Sequence, residues 1–138
     1  MIYAVIDTNV LVSALLTSNL DAATVKVVKA LMEDQITPLF DKDIIKEYSD
    51  VLKRPKFSFS EKIVDYYIRA IKNKGLASSR VLSKESFSDP KDIVFYEVAL
   101  SKEDAYLVTG NTKHFPKKPI VVTPAEMMKI LRAKNQIR

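Results

Sequence analysis

Apolar residues along this chain follow two rhythms, short unbroken runs alternating with longer stretches in which they recur every third or fourth position. The runs at residues 2–6, 36–40, 105–109 and 120–122 are short and rich in β-branched side chains, as strands buried on both faces are. Residues 21–34, 41–53, 60–74 and a stretch from Asp89-Pro90 to about Lys102 repeat apolar positions at helical spacing. Asp7-Thr8-Asn9 supplies the polar side chains that begin a helix after the first run, and Asp21 is placed to cap the next one. Pro55 marks the end of the helix that starts at Asp41, Gly75 stops the one that starts at Ser60, and Pro90 suits a first helical turn. Thr123-Pro124-Ala125-Glu126 has the spacing of a capping box and opens a last helix. Pro38 suggests an edge position or a strand start, and a weak strand is expected at residues 80–82.

Alternation of strands and helices from end to end predicts an α/β fold, a three-layer α/β/α sandwich around a mostly parallel sheet. No repeat, low-complexity tract or domain boundary interrupts residues 1–138, which therefore read as a single domain. A length of 138 residues with 47% hydrophobic content and two glycines is enough for a core without staples. Cysteine is absent, which excludes disulfides and thiolate chemistry and suits a reducing, cytoplasmic setting. No stretch approaches the roughly 20 apolar residues of a membrane span. The net charge of +5 and pI near 9.3 favour a polyanionic partner, nucleic acid first.

Against that basic background, some of the 17 acidic residues stand where a surface acid should not. Asp7 ends the first apolar run, and in open α/β sheets ligands gather at the carboxyl ends of strands; its plainer reading is a helix cap. Glu47 shares a helix face with Ile44 and Val51, on or beside the core-facing stripe. Asp92 lines up with Phe95, Tyr96 and Ala99 in the first turn of its helix, where the helix dipole favours an acid whether or not it does chemistry. If these acids converge, their mutual repulsion raises their pKa values unless a cation sits among them. An oxygen-only donor set with no cysteine and one histidine suits Mg²⁺ or Mn²⁺ over zinc. Such a centre in a basic protein points to metal-assisted phosphodiester hydrolysis.

Taken in order, Val5-Ile6-Asp7-Thr8-Asn9-Val10, Glu47, Asp89-Pro90-Lys91-Asp92, Leu107-Val108-Thr109-Gly110-Asn111 and Val122-Thr123-Pro124-Ala125-Glu126 resemble the PIN-domain ribonucleases. The likeness is greatest to the VapC-like toxins of bacterial and archaeal toxin–antitoxin pairs, and it spans essentially the whole chain. It implies cleavage of single-stranded or looped RNA dependent on Mg²⁺ or Mn²⁺, with Asp7, Glu47 and Asp92 as catalytic, metal-holding acids. Asn9, Thr109 and Asn111 become supporting polar groups. It also implies a cognate antitoxin that blocks the cleft with a basic side chain, and a homodimer. Asn111 departs from the pattern, since many PIN domains carry a fourth acid there; an amide contributes no charge, which puts a second metal in doubt.

Two basic loops, Lys53-Arg54-Pro55-Lys56 and the stretch with Lys113 and His114, would contact the RNA backbone if they border the acids. Equally, they read as solubilising surface. Lys129, Arg132, Lys134 and Arg138 form a basic tail, and of the adjacent Tyr66 and Tyr67 at most one is buried. Two other functions fit parts of the pattern. A phosphotransfer domain would use Asp7 as nucleophile, although phosphatases of the haloacid dehalogenase type have a second Asp where this chain has Asn9. A degenerate PIN domain would serve as an RNA-binding or assembly module, and Asn111 keeps that reading open.

Overall fold

The computed structural model describes residues 1–87 and 89–136, so Arg138 of the basic tail lies outside the described residues. Among these residues, five strands, β1 (Ile2–Ile6), β2 (Ile36–Phe40), β3 (Leu76–Ala77), β4 (Tyr106–Val108) and β5 (Val121–Val122), form one sheet in the order β3-β2-β1-β4-β5. Every neighbouring pair is parallel. Among the described residues, six α-helices complete the α/β/α sandwich: α1 (Thr8–Leu16), α2 (Ala23–Met32), α3 (Lys42–Leu52), α4 (Glu61–Lys74), α5 (Pro90–Ala99) and α6 (Pro124–Gln136). Ala4, Val5, Ile6, Leu107 and Val108 are fully buried at its centre, because parallel strands joined by crossover helices are covered on both faces. α2 packs on α1, α6 and β2, whereas α5 packs on β1, β2, β4 and α3. Among the described residues, no helix is long and apolar enough to cross a membrane.

Caps fall largely where the chain chemistry places them. Asp41 Oδ1 accepts the Ile44 N–H at 2.8 Å, Ser60 Oγ that of Ile63 at 3.1 Å, and Asp89 Oδ1 that of Lys91 at 2.9 Å. Thr123 and Glu126 bond reciprocally, each side chain to the other's backbone N–H. Gly75 ends α4, yet its φ of −93° needs no glycine. Close approach does: a Cβ there would lie 2.4 Å from the Pro38 carbonyl oxygen.

Four expectations need correction. Ala22, not Asp21, is the residue before α2, and no side chain caps it; Asp21 instead gives its N–H to Asn19 Oδ1 at 3.0 Å. β2 is not an edge strand, since β1 and β3 flank it; its proline is accommodated because β3 pairs only with Leu39 and Phe40. Residues 80–82 form no strand, and the Val81 N–H bonds the Glu97 carbonyl of α5. The outer strand is Leu76–Ala77, two exposed residues too few to leave an apolar run. α5 also stops at Ala99, short of Lys102.

Candidate active site

From β1 the chain builds outward through β2 and β3 on one side, then crosses to lay β4 and β5 on the other. Strand order therefore reverses between the carboxyl ends of β1 and β4, where open α/β sheets form a crevice. Asp7 follows β1 directly and is only 7% exposed. It occupies the N-cap position of α1, but its side chain makes no cap bond; the carboxylate turns across the crevice instead. There Asp7 Oδ2 accepts the hydroxyl of Thr109, which follows β4, at 2.7 Å. Thr109 Oγ1 in turn accepts the Asn111 N–H at 3.0 Å, and Asn9 Oδ1 accepts that of Gly110 at 3.4 Å. Both strand ends are thereby tied together through short polar side chains.

α3 brings the second acid. Its buried stripe is Ile44, Tyr48 and Leu52, spaced one helical turn apart, so Glu47 falls beside the stripe and is half-buried. The buried Tyr48 hydroxyl donates to the Ile6 carbonyl at the last residue of β1. That bond fixes α3 against the strand that carries Asp7. α5 brings the third: Asp92 lies in its first turn, with its side chain 17% exposed and Oδ2 at 3.8 Å from His114 Nδ1. Asp7, Glu47, Asp92, Asn9, Asn111 and His114 all line one cleft of about 280 Å³. Asp89, Lys91, Thr8 and the apolar wall Val12, Val51, Phe57 and Phe95 complete it.

The cleft is electrostatically unfavourable as it stands. Burial pushes the Asp7 carboxyl above its ordinary value, and Glu47 adds to the rise. Bonds from Thr109 and Thr8 and the nearby His114 pull the other way. Asp92 is pushed up to about 6 by burial first, then by Asp7, Asp89 and Glu47. Two buried side-chain atoms among the described residues lack a hydrogen-bond partner, Asp92 Oδ2 and Thr8 Oγ1. Both belong to residues of this cleft, although buried polar atoms are almost always satisfied.

A hard divalent cation fits that donor set. It answers the mutual repulsion and the orphaned oxygen, and the side chains present offer oxygen and amide donors with no thiolate. Among the described residues, no three Asp, Glu, His or Cys side chains are arranged as a ready-made ligand group.

The basic loops divide. Lys53 is turned to Asp65 at 3.1 Å, and Arg54 and Lys56 are exposed beside the cleft residue Phe57. Lys113 and His114 belong to the same short turn. His114 lines the acidic cleft, whereas Lys113 lines a separate open hollow of about 850 Å³ with Lys117 and Lys118. Sequence reasoning missed Tyr48 as an anchor, Asp89 and Lys91 as cleft residues, and the aromatic wall. A tyrosine on a core stripe was the available signal for Tyr48, since a buried hydroxyl requires a partner.

A family model described as "PIN domain" matches residues 3–113. No curated protein and no solved structure matches the chain.

Proposed function

The chain belongs to the PIN-domain family, and from its nuclease-type fold we propose a metal-dependent endoribonuclease that cuts single-stranded or looped RNA. The observation that carries this reading is the meeting of Asp7, Glu47 and Asp92 in one cleft, with Asp92 Oδ2 buried and unbonded. Asp7 and Asp92 are the residues to hold Mg²⁺ or Mn²⁺, with Glu47 beside them. When bound, the cation neutralises phosphate charge and activates water for attack on phosphorus. Thr109 keeps the Asp7 carboxylate oriented, and the Tyr48 bond to Ile6 anchors the helix that carries Glu47. Lys91 and His114 also line the cleft, and the positive charge of Lys91 favours a phosphodiester over the bare acids.

Incubation of the purified protein with mixed RNAs, with and without Mn²⁺, tests the proposal against Asp7→Asn. Cleavage that requires both Mn²⁺ and Asp7 supports it, and cleavage that survives excess chelator excludes it. The exposed Asn111 amide and the loose acid set favour one competing reading, an RNA-binding or assembly module. That module would bind RNA and leave it intact.

Within the same proposal, the protein is the toxin of a toxin–antitoxin pair, acting in the cytoplasm and blocked by an antitoxin that places a basic side chain among the acids. A groove lined by Leu15, Val28, Met32, Tyr66 and Tyr67 supports a protein partner, and Tyr66 is 58% exposed there. A homodimer belongs to the proposal too, and sedimentation of the purified chain tests it.

A further inference from the structure

Between α3 and α4 the chain makes a short 3-10 turn, Pro55–Phe57, closed by Ser58 in the left-handed region with φ 55°. A serine adopts that conformation at a cost of about 1 kcal/mol, and its N–H bond to the Pro55 carbonyl holds it there. The result is a stack of two rings, Phe57 on Phe59, with centroids 5.5 Å apart and planes 11° from parallel. Phe59 packs on the core. Phe57 lies over Phe59, half-buried, and forms part of the wall of the acidic cleft beside Val51.

One cation stands over this ring, and a second precedes the turn in the chain. Lys56 Nζ stands 5.1 Å from the Phe57 ring centroid, and Arg54 is exposed one residue before the turn. Neither makes an ion pair among the described residues, whereas the neighbouring Lys53 is taken by Asp65. A flat apolar ring next to unpaired cations, at the lip of an acid cluster, matches one nucleotide of an unpaired strand: the base takes the ring and the phosphate takes the cations. A base still stacked in a duplex cannot take that place.

We infer that Phe57 is the stacking platform for a nucleobase of a single-stranded RNA lying across the acidic cleft, with Lys56 and Arg54 on the adjoining phosphates. This rests on the nuclease reading. It makes Phe57 a specificity residue for unpaired RNA, and it gives the strained turn a purpose, since Ser58 sets the angle at which the ring meets the cleft. On binding, the base displaces the Lys56 ammonium from over the ring, and the ammonium moves to phosphate.

The chain has no tryptophan, so Phe57→Trp places a single fluorophore at the platform. In chelator, where no strand is cut, a short single-stranded oligoribonucleotide should quench its emission. The same oligomer carrying abasic residues should not. Phe57→Leu, which keeps apolar bulk without the ring, should lose roughly tenfold in affinity for the intact oligomer and nothing for the abasic one. Equal quenching by both oligomers, or unchanged affinity of Phe57→Leu in a protein whose native form binds and cuts RNA, overturns the platform alone. A native protein that neither binds nor cuts RNA overturns the nuclease reading and the platform together.

Discussion

The Thr109 hydroxyl donates to Asp7 Oδ2 at 2.7 Å, a bond that spans 102 positions of sequence and joins the ends of two neighbouring strands. It is one of the contacts that restrain the rise in the Asp7 pKa. Thr109→Val keeps the shape and removes the donor, so the Asp7 carboxyl should rise further and the carboxylate should lose its orientation. Cleavage near neutral pH should fall at least about tenfold, and stability by roughly 1–3 kcal/mol. Thr109→Ser, which retains the hydroxyl, should recover most of both; steady-state kinetics and urea titrations on the two variants decide it.

Asp92 holds its proton more tightly in the fold, with a pKa near 6 against an ordinary 3.8. Between those values the folded state carries the extra proton, so stability falls as pH rises through the window. Above it, the ionised carboxylate costs the metal-free protein on the order of 1 kcal/mol, allowing for solvent at the cleft mouth. Asp92→Asn should therefore stabilise the metal-free protein by about that amount near neutral pH, and the gain should vanish below the ordinary carboxylate range. Thermal melts of both proteins across pH show the difference curve; a gain that grows towards acid contradicts the assignment.

Metal should reverse that cost. At a Mn²⁺ concentration about 100-fold above its dissociation constant, binding to the folded state alone stabilises by roughly 2.7 kcal/mol. The melting temperature should rise accordingly in the native chain and return on chelation. Asp7→Asn should abolish most of the rise. A melting temperature indifferent to Mn²⁺ in the native protein argues for the RNA-binding module.

Tyr48→Phe leaves the ring in place and removes its hydroxyl from the Ile6 carbonyl, which is buried at the end of β1. An unsatisfied buried acceptor costs about 1–3 kcal/mol. Because the same helix carries Glu47, kcat should fall more than KM rises. Comparison of equilibrium unfolding with RNA cleavage kinetics separates the two effects.

Most of the frame could be read from the chain because the signals were local. Buried strands announce themselves as apolar runs, and Asp41, Ser60, Asp89 and the Thr123–Glu126 pair act within three residues of where they stand. The acids Asp7, Glu47 and Asp92 were visible as misfits on otherwise apolar positions. What stayed hidden depends on partners far along the chain. Glu97 is a buried acid that pattern reading passed over, and it is not part of the cleft. Arg80 Nε at 3.0 Å and the Ser83 N–H at 2.7 Å bind it. Burial raises its pKa, but those bonds outweigh burial and hold it below the ordinary value. That clasp fastens the irregular stretch after β3, and nothing in residues 80–83 alone foretells it. β3 itself is defined by pairing with β2 and not by its own two residues.

Sheet order also governs when the acids can first meet during synthesis. One of the two neighbours of β1, β4, begins only at Tyr106, so Asp7 waits for Thr109, 102 positions further on, before the wall opposite it exists. Contacts this distant in sequence form late and slowly. A nascent chain therefore carries no assembled acid cleft until β4 and Thr109 have been made and have paired beside β1.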